Sequence, residues 1–157
     1  MSAIPELYVP GSLYIAGFTQ ARSPHLGLLL AKDAAPASGT LFHIRIDRAT
    51  HPNWQFQKRS QLVAEDMFLS SLLRVGADLD AIALEEAARS VPVPDHDEFG
   101  ECGPWVFSVL QVLAERGIVE LDDVQKLADE VREFAEGSRA YARRDKFPNV
   151  KMSEFCR

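Results

Sequence analysis

The chain has 157 residues, 46% of them apolar and 25% charged, with 17 basic against 23 acidic side chains and a formal charge of −6. That length fits one domain with its own core, since about 150 residues bury roughly 70% of the unfolded surface. The composition excludes a disordered chain, the acidic balance argues against nucleic-acid binding, and no run approaches the ~18 apolar residues of a membrane span.

The segment Met1 to Tyr8 has no basic stretch followed by an apolar run, so no secretory leader is expected. Two cysteines, Cys102 and Cys156, suit a reducing, cytoplasmic compartment better than a disulfide scaffold. The first half is rich in strand and turn signals and the second half in helical ones, which predicts an α+β fold.

Leu13 to Thr19 reads as a strand after the turn Pro10-Gly11-Ser12, and His25 to Lys32 as a second after Ser23-Pro24. Ala34 to Gly39 is a turn cluster. Thr40 to Asp47 is a third strand, with Phe42, Ile44 and Ile46 on one face and Leu41, His43, Arg45 and Asp47 on the other. Trp54 to Leu62 alternates Trp54, Phe56 and Lys58 against Gln55, Gln57 and Arg59, and Phe68 to Val75 is a candidate fifth strand. The expected sheet is small and antiparallel.

Asp78 or Asp80 can cap a helix to about Ser90, stopped by Pro92 and Pro94. Pro92 to Glu101 is an acidic loop. Cys102 or Gly103 opens the next helix, with Pro104 in its first turn, Val106, Val109, Leu110 and Leu113 as its apolar stripe, and Gly117 as its stop. A last amphipathic helix runs from Leu121 to about Arg143, and a polar tail from about Asp145 is expected to fray.

Cys102 lies at a helix start on the stripe that faces the core. There a thiolate gains from the macrodipole and from unpaired N–H groups, which can also hold an oxyanion. The competing reading is that a free cysteine simply packs. A thiol nucleophile needs a base, and His25 and His43 sit on neighbouring predicted strands, where one imidazole could serve as base and the other orient it. Arg45 or Asp47 are alternative orienting groups.

Three segments, His25-Leu26-Gly27-Leu28-Leu29-Leu30, Gly39-Thr40-Leu41-Phe42-His43-Ile44 and Glu101-Cys102-Gly103-Pro104-Trp105-Val106, occur in the order His, His, Cys. In that order and spacing, over roughly Leu13 to Gly117, the chain resembles the circularly permuted papain-like superfamily. The pattern is nearest that of the lecithin–retinol acyltransferase-like and HRAS-like-suppressor proteins. The resemblance implies a single permuted papain-like domain over 1–157 and an acyl-enzyme on Cys102. His25 would be its base, His43 would fix the His25 tautomer, and Trp105 would pack three residues into the helix.

The chain departs from that pattern at Glu101, where the family has Asn, and at Leu26, where it has Trp. Asp95, Asp97, Glu98 and Glu101 lie within eight residues of Cys102 and should favour the neutral thiol, unless a charged His25 opposes them.

Other constellations carry less. Asp95-His96-Asp97-Glu98 lacks metal-ligand spacing and reads as a solvated loop, with His96 and Glu101 as candidates to sit over a cleft. Trp54 could line an apolar acyl pocket. No cofactor and no metal is called for. The last helix could form a homodimer seam. The expectation is therefore a cytoplasmic cysteine hydrolase or acyltransferase acting on a small soluble ester, thioester or amide. The alternative is a groove that binds a small molecule or peptide without covalent chemistry, including an enzyme of secondary metabolism that promotes cyclisation or rearrangement by acid–base chemistry.

Overall fold

A computed structural model describes residues 7–64 and 66–157. Six strands form one open, mixed sheet: β1 (Leu13–Phe18), β2 (His25–Ala34), β3 (Ala37–Arg45), β4 (Gln55–Leu62), β5 (Leu69–Gly76) and β6 (Asn149–Met152). Their order is β4-β3-β2-β1-β5-β6. The first four strands make an antiparallel meander, β5 returns to the free edge of β1, and β6 adds in parallel to β5. Three helices separate β5 from β6 in sequence: α1 (Ala81–Ser90), α2 (Cys102–Glu115) and α3 (Val124–Gly137).

The period-2 pattern of the strands divides the core in two. On one face Leu13, Ile15, Leu28 and Leu73 pack with the α2 stripe Val106, Val109, Leu110 and Leu113. On the other, Tyr14, Leu29, Leu41 and Leu72 are covered by Tyr8 and Phe147.

Capping chemistry sets the helix bounds. The Asp80 carboxylate accepts from Ala83 N–H and the Asp123 carboxylate from Lys126 N–H. At the end of α2, Gly117 adopts φ +73°. Its N–H bonds Ala114 C=O while Ile118 N–H bonds Leu113 C=O at 2.9 Å, a Schellman closure.

Three expectations need correction. The sheet is mixed rather than purely antiparallel, because β6 runs parallel to β5. The last helix starts at Val124, not Leu121, since Asp123 caps it and Leu121 bridges Cys156 instead. The polar tail is not frayed: Phe147 and Cys156 are buried, and Ser153 N–H bonds Arg74 C=O. Among the described residues no helix is long and apolar enough to cross a membrane.

Candidate active site

His25 opens β2 and His43 lies near the end of β3. Alternation puts His25, Gly27 and Leu29 on one face of β2, and Leu41 and His43 on the same face of β3. A Cβ at Gly27 would sit 3.0 Å from His43 Cβ and 2.9 Å from Leu41 Cδ1, so a residue without a side chain is what lets the second imidazole in. The rings meet edge to face with 5.0 Å between centroids, and His25 Nε2 lies 2.7 Å from His43 Nδ1. Of the three groups weighed from the sequence, His43 is the one hydrogen-bonded to His25. Arg45 pairs instead with Asp47 at 3.6 Å.

A third member was not singled out from the sequence. Gln57 stands directly opposite His43 in the β3–β4 ladder, and its Oε1 lies 2.8 Å from His43 Nε2. The face of β4 carrying Gln57 was legible from its alternation; the register that sets it against His43 was not.

An amide oxygen only accepts, so His43 Nε2 carries the proton and His43 Nδ1 is the acceptor. His25 Nε2–H must then donate to it. A neutral His25 is left with an unprotonated Nδ1, free to take a proton. The ordering of tautomers runs inward from Gln57 to His25.

Both imidazoles are held neutral. Burial is the main cause, the guanidinium charges of Arg59 and Arg45 add to it, and His25 is pushed down to about 4. His43 also falls to about 4, by burial, although its bond to Gln57 works the other way.

Cys102 is half-buried at the first position of α2. Burial pushes its thiol up, and the backbone N–H groups of Leu26, Gly103 and Cys102 itself oppose that. Leu26 directly follows His25 but faces the other way, into the core that α2 covers, so Cys102 and the two imidazoles lie on opposite faces of β2. Of the four acidic residues weighed from the sequence, Glu101 raises the thiol. Asp97 is engaged by Arg48 at 3.2 Å and Asp95 by Asn53 at 3.1 Å. The charged His25 that would have opposed the acids is not the resting form. The thiol and both imidazoles rest neutral.

Two clefts flank the His25–Leu26 step. One, of about 340 Å³, is largely apolar and is lined by Leu26, Cys102, Gly103, Phe107, Val131 and Ala135, among others. The other, of about 300 Å³, is lined by Phe18, Thr19, Gln20, His25, Arg59 and Phe68.

The remaining sequence candidates lie around these. Trp105 is buried in the core, with its ring 5.9 Å from that of Phe56. Trp54 ties down the acidic loop: its indole N–H donates to Glu98 C=O at 2.9 Å and its backbone N–H to His96 C=O. His96 Nδ1 accepts from Glu98 N–H, and its Nε2 is 3.8 Å from Glu101 Oε2. His51 closes its own turn through Asn53 N–H. Among the described residues, no group of three His, Cys, Asp or Glu side chains is placed to hold a metal ion.

No protein-family model, no curated protein sequence and no solved structure matches the chain. What the fold itself defines is an α+β protein with a six-stranded mixed sheet and three helices.

Proposed function

We propose that the chain is a cysteine-dependent hydrolase or acyltransferase of permuted papain-like design, acting on a small ester, thioester or amide through an acyl-enzyme on Cys102. The observation that carries the reading is the His25–His43–Gln57 chain of hydrogen bonds, which leaves His25 Nδ1 as a free base at the start of β2; Cys102 lies on the other face of that strand beside Leu26, so acylation requires the His25 ring to swing round the strand's start to the sulfur.

In the acylation step the Cys102 Sγ–carbonyl bond forms as the thiol proton passes to His25 Nδ1. The imidazolium then gives that proton to the departing oxygen, nitrogen or sulfur as its bond to the carbonyl breaks. Free N–H groups at the start of α2 are the donors available to the oxyanion. Water or another acceptor, deprotonated by His25, releases the acyl group. The apolar cleft at Cys102 suits the acyl portion.

Incubation with a short-chain acyl thioester, read by intact mass, tests this. The expected result is an acyl adduct on Cys102 and its loss in Cys102→Ala, with turnover falling at least a thousandfold in His25→Ala. Unchanged turnover in Cys102→Ala would overturn the mechanism.

The raised thiol favours a second reading in which the same groove works without covalent chemistry, His25 moving a proton on a bound small molecule. Turnover that survives Cys102→Ser but not His25→Ala would select it.

A further inference from the structure

We infer that the outer face of the sheet carries a second binding site, separate from Cys102, in which a single-ring phenol lies against Phe18 and Phe68 and its hydroxyl donates to His25 Nδ1.

Strand alternation decides which groups belong to this site. Phe18 on β1, His25 on β2, His43 on β3 and Gln57 on β4 share the face that carries Tyr14 and Leu41. Phe18 and His25 are direct partners in the β1–β2 ladder, and their rings stand 5.9 Å apart. Cys102 and α2 cover the opposite face. A ligand held here by His25 therefore needs nothing from the thiol.

The hydrogen bonds in this row all run one way. Gln57 Oε1 accepts from His43, and His43 Nδ1 accepts from His25. What remains at the end of the row is an acceptor, His25 Nδ1. Among the described residues it meets no donor, and it is not one of the fully buried unpaired polar atoms, which are Ser12 Oγ and Trp105 Nε1. It stays within reach of the cleft of about 300 Å³ that His25 lines. The other polar groups of that cleft are engaged or hydrated. Thr19 Oγ1 is bonded to Ser70 Oγ at 2.7 Å, Gln20 Nε2 donates to Ser23 C=O, and Arg59 is exposed and donates to Gln61. A ligand that fits must bring a donor to Nδ1. A carboxylate, an ether or a ketone brings none.

The walls suit a flat apolar body. Phe68 is 56% exposed, yet its backbone is pinned on both sides. Its N–H donates to Asp66 Oδ1 at 2.8 Å, and its C=O accepts from Thr19 N–H at 2.8 Å. An apolar ring held in water on a fixed mount gains when a second ring covers it. The volume lies at the small end of ligand cavities, which suits one ring. The hydroxyl keeps its proton in the complex, because an imidazole held at about 4 is too weak to take it from a phenol of ~10. The site binds through a hydrogen bond and does not ionise its ligand.

Titration with para-cresol, followed by the ring-nitrogen NMR signals of His25, tests this. The control is para-methylanisole, which has the same ring and an oxygen that cannot donate. The cresol should saturate the protein, shift His25 Nδ1 and the ring protons of Phe18 and Phe68, and bind at least tenfold more tightly than the anisole. His25→Ala should remove that preference, and Phe68→Ala should weaken both ligands at least threefold. Cys102→Ala should change neither. Equal affinities in the native protein overturn the inference, and so does the absence of saturable binding. Shifts centred on Leu26, Phe107 and Val131 would place the cresol in the Cys102 cleft and overturn it too. The acyl-enzyme is judged apart from this, by the mass adduct on Cys102. An adduct without cresol binding sinks the outer site alone, and cresol binding without an adduct sinks the acyl-enzyme alone.

Discussion

At neutral pH both imidazoles of the relay are uncharged, because burial and the charges of Arg59 and Arg45 hold His25 and His43 at about 4. A base whose native pKa lies below the ordinary 6.5 is protonated more readily in the unfolded chain. Stability from this source is therefore complete above about 6.5 and is lost as the pH falls toward about 4. Thermal midpoints should decline over that window in the native protein and decline less in a His43→Gln variant. For catalysis, the acid limb of kcat/KM should fall near pH 4 rather than 6.5.

The thiol side has the opposite signature. Cys102 is raised by burial and by Glu101, so alkylation at pH 7 should be slower than that of an unhindered thiol. Glu101→Gln should speed it modestly. Cys156, pushed up to about 12 by burial and bonded to Val75 C=O, should stay inert in both proteins. Gln57→Leu should strand the His43 Nε2–H and release its tautomer. We expect kcat to fall at least tenfold with KM little changed, and stability to drop by about 1–3 kcal/mol for the unpaired buried donor.

Among the elements, β2 and β3 were legible because each is long enough for its period to be read. That placed His43 on the face with Leu41, and Phe42 and Ile44 on the other, as the two cores require. The α2 stripe was legible for the same reason, with Val106, Val109, Leu110 and Leu113 all fully buried. Gln57 escaped because a cross-strand partner depends on register, which turn length and packing set jointly. The tail escaped because β6 is four residues long and runs parallel at a sheet edge, too short to show a period.

Gly27 is the position where an element and the site meet. Gly27→Ala puts a methyl 3.0 Å from His43 Cβ, so the second ring must move. Activity should suffer far more than the thermal midpoint, and the His25–His43 proton should lose its NMR signature. At Gly117, Ala in the left-handed region should cost about 1–2 kcal/mol, read by denaturant unfolding, with the site unaffected.

For the molecule as a whole, the chain beyond α3 closes the fold rather than trailing from it. Phe147 covers the face of the sheet that carries Tyr14 and Tyr8, its ring meeting Tyr8 edge-on at 5.6 Å. Glu130 of α3 is buried and holds the returning segment by accepting from Ser153 Oγ at 2.5 Å and Glu154 N–H at 2.9 Å. Phe147→Ala should cost about 3 kcal/mol or more in equilibrium unfolding, an effect expected of a core residue and not of a frayed end.

The meander also has a temporal meaning. His25, His43 and Gln57 all come from β2, β3 and β4, neighbours in sequence joined by short connections, so their pairing closes only small loops. Cys102 comes from a helix more than forty residues further on. The proton-handling half of the site can therefore assemble while the thiol is still attached to unfolded chain. In the finished protein, an opening confined to the start of α2 would withdraw the sulfur and leave the histidines in register. The two halves of the proposed chemistry are then separable by local unfolding, and hydrogen exchange should find the Cys102 and Gly103 amides opening more readily than those of Leu28 and Leu41.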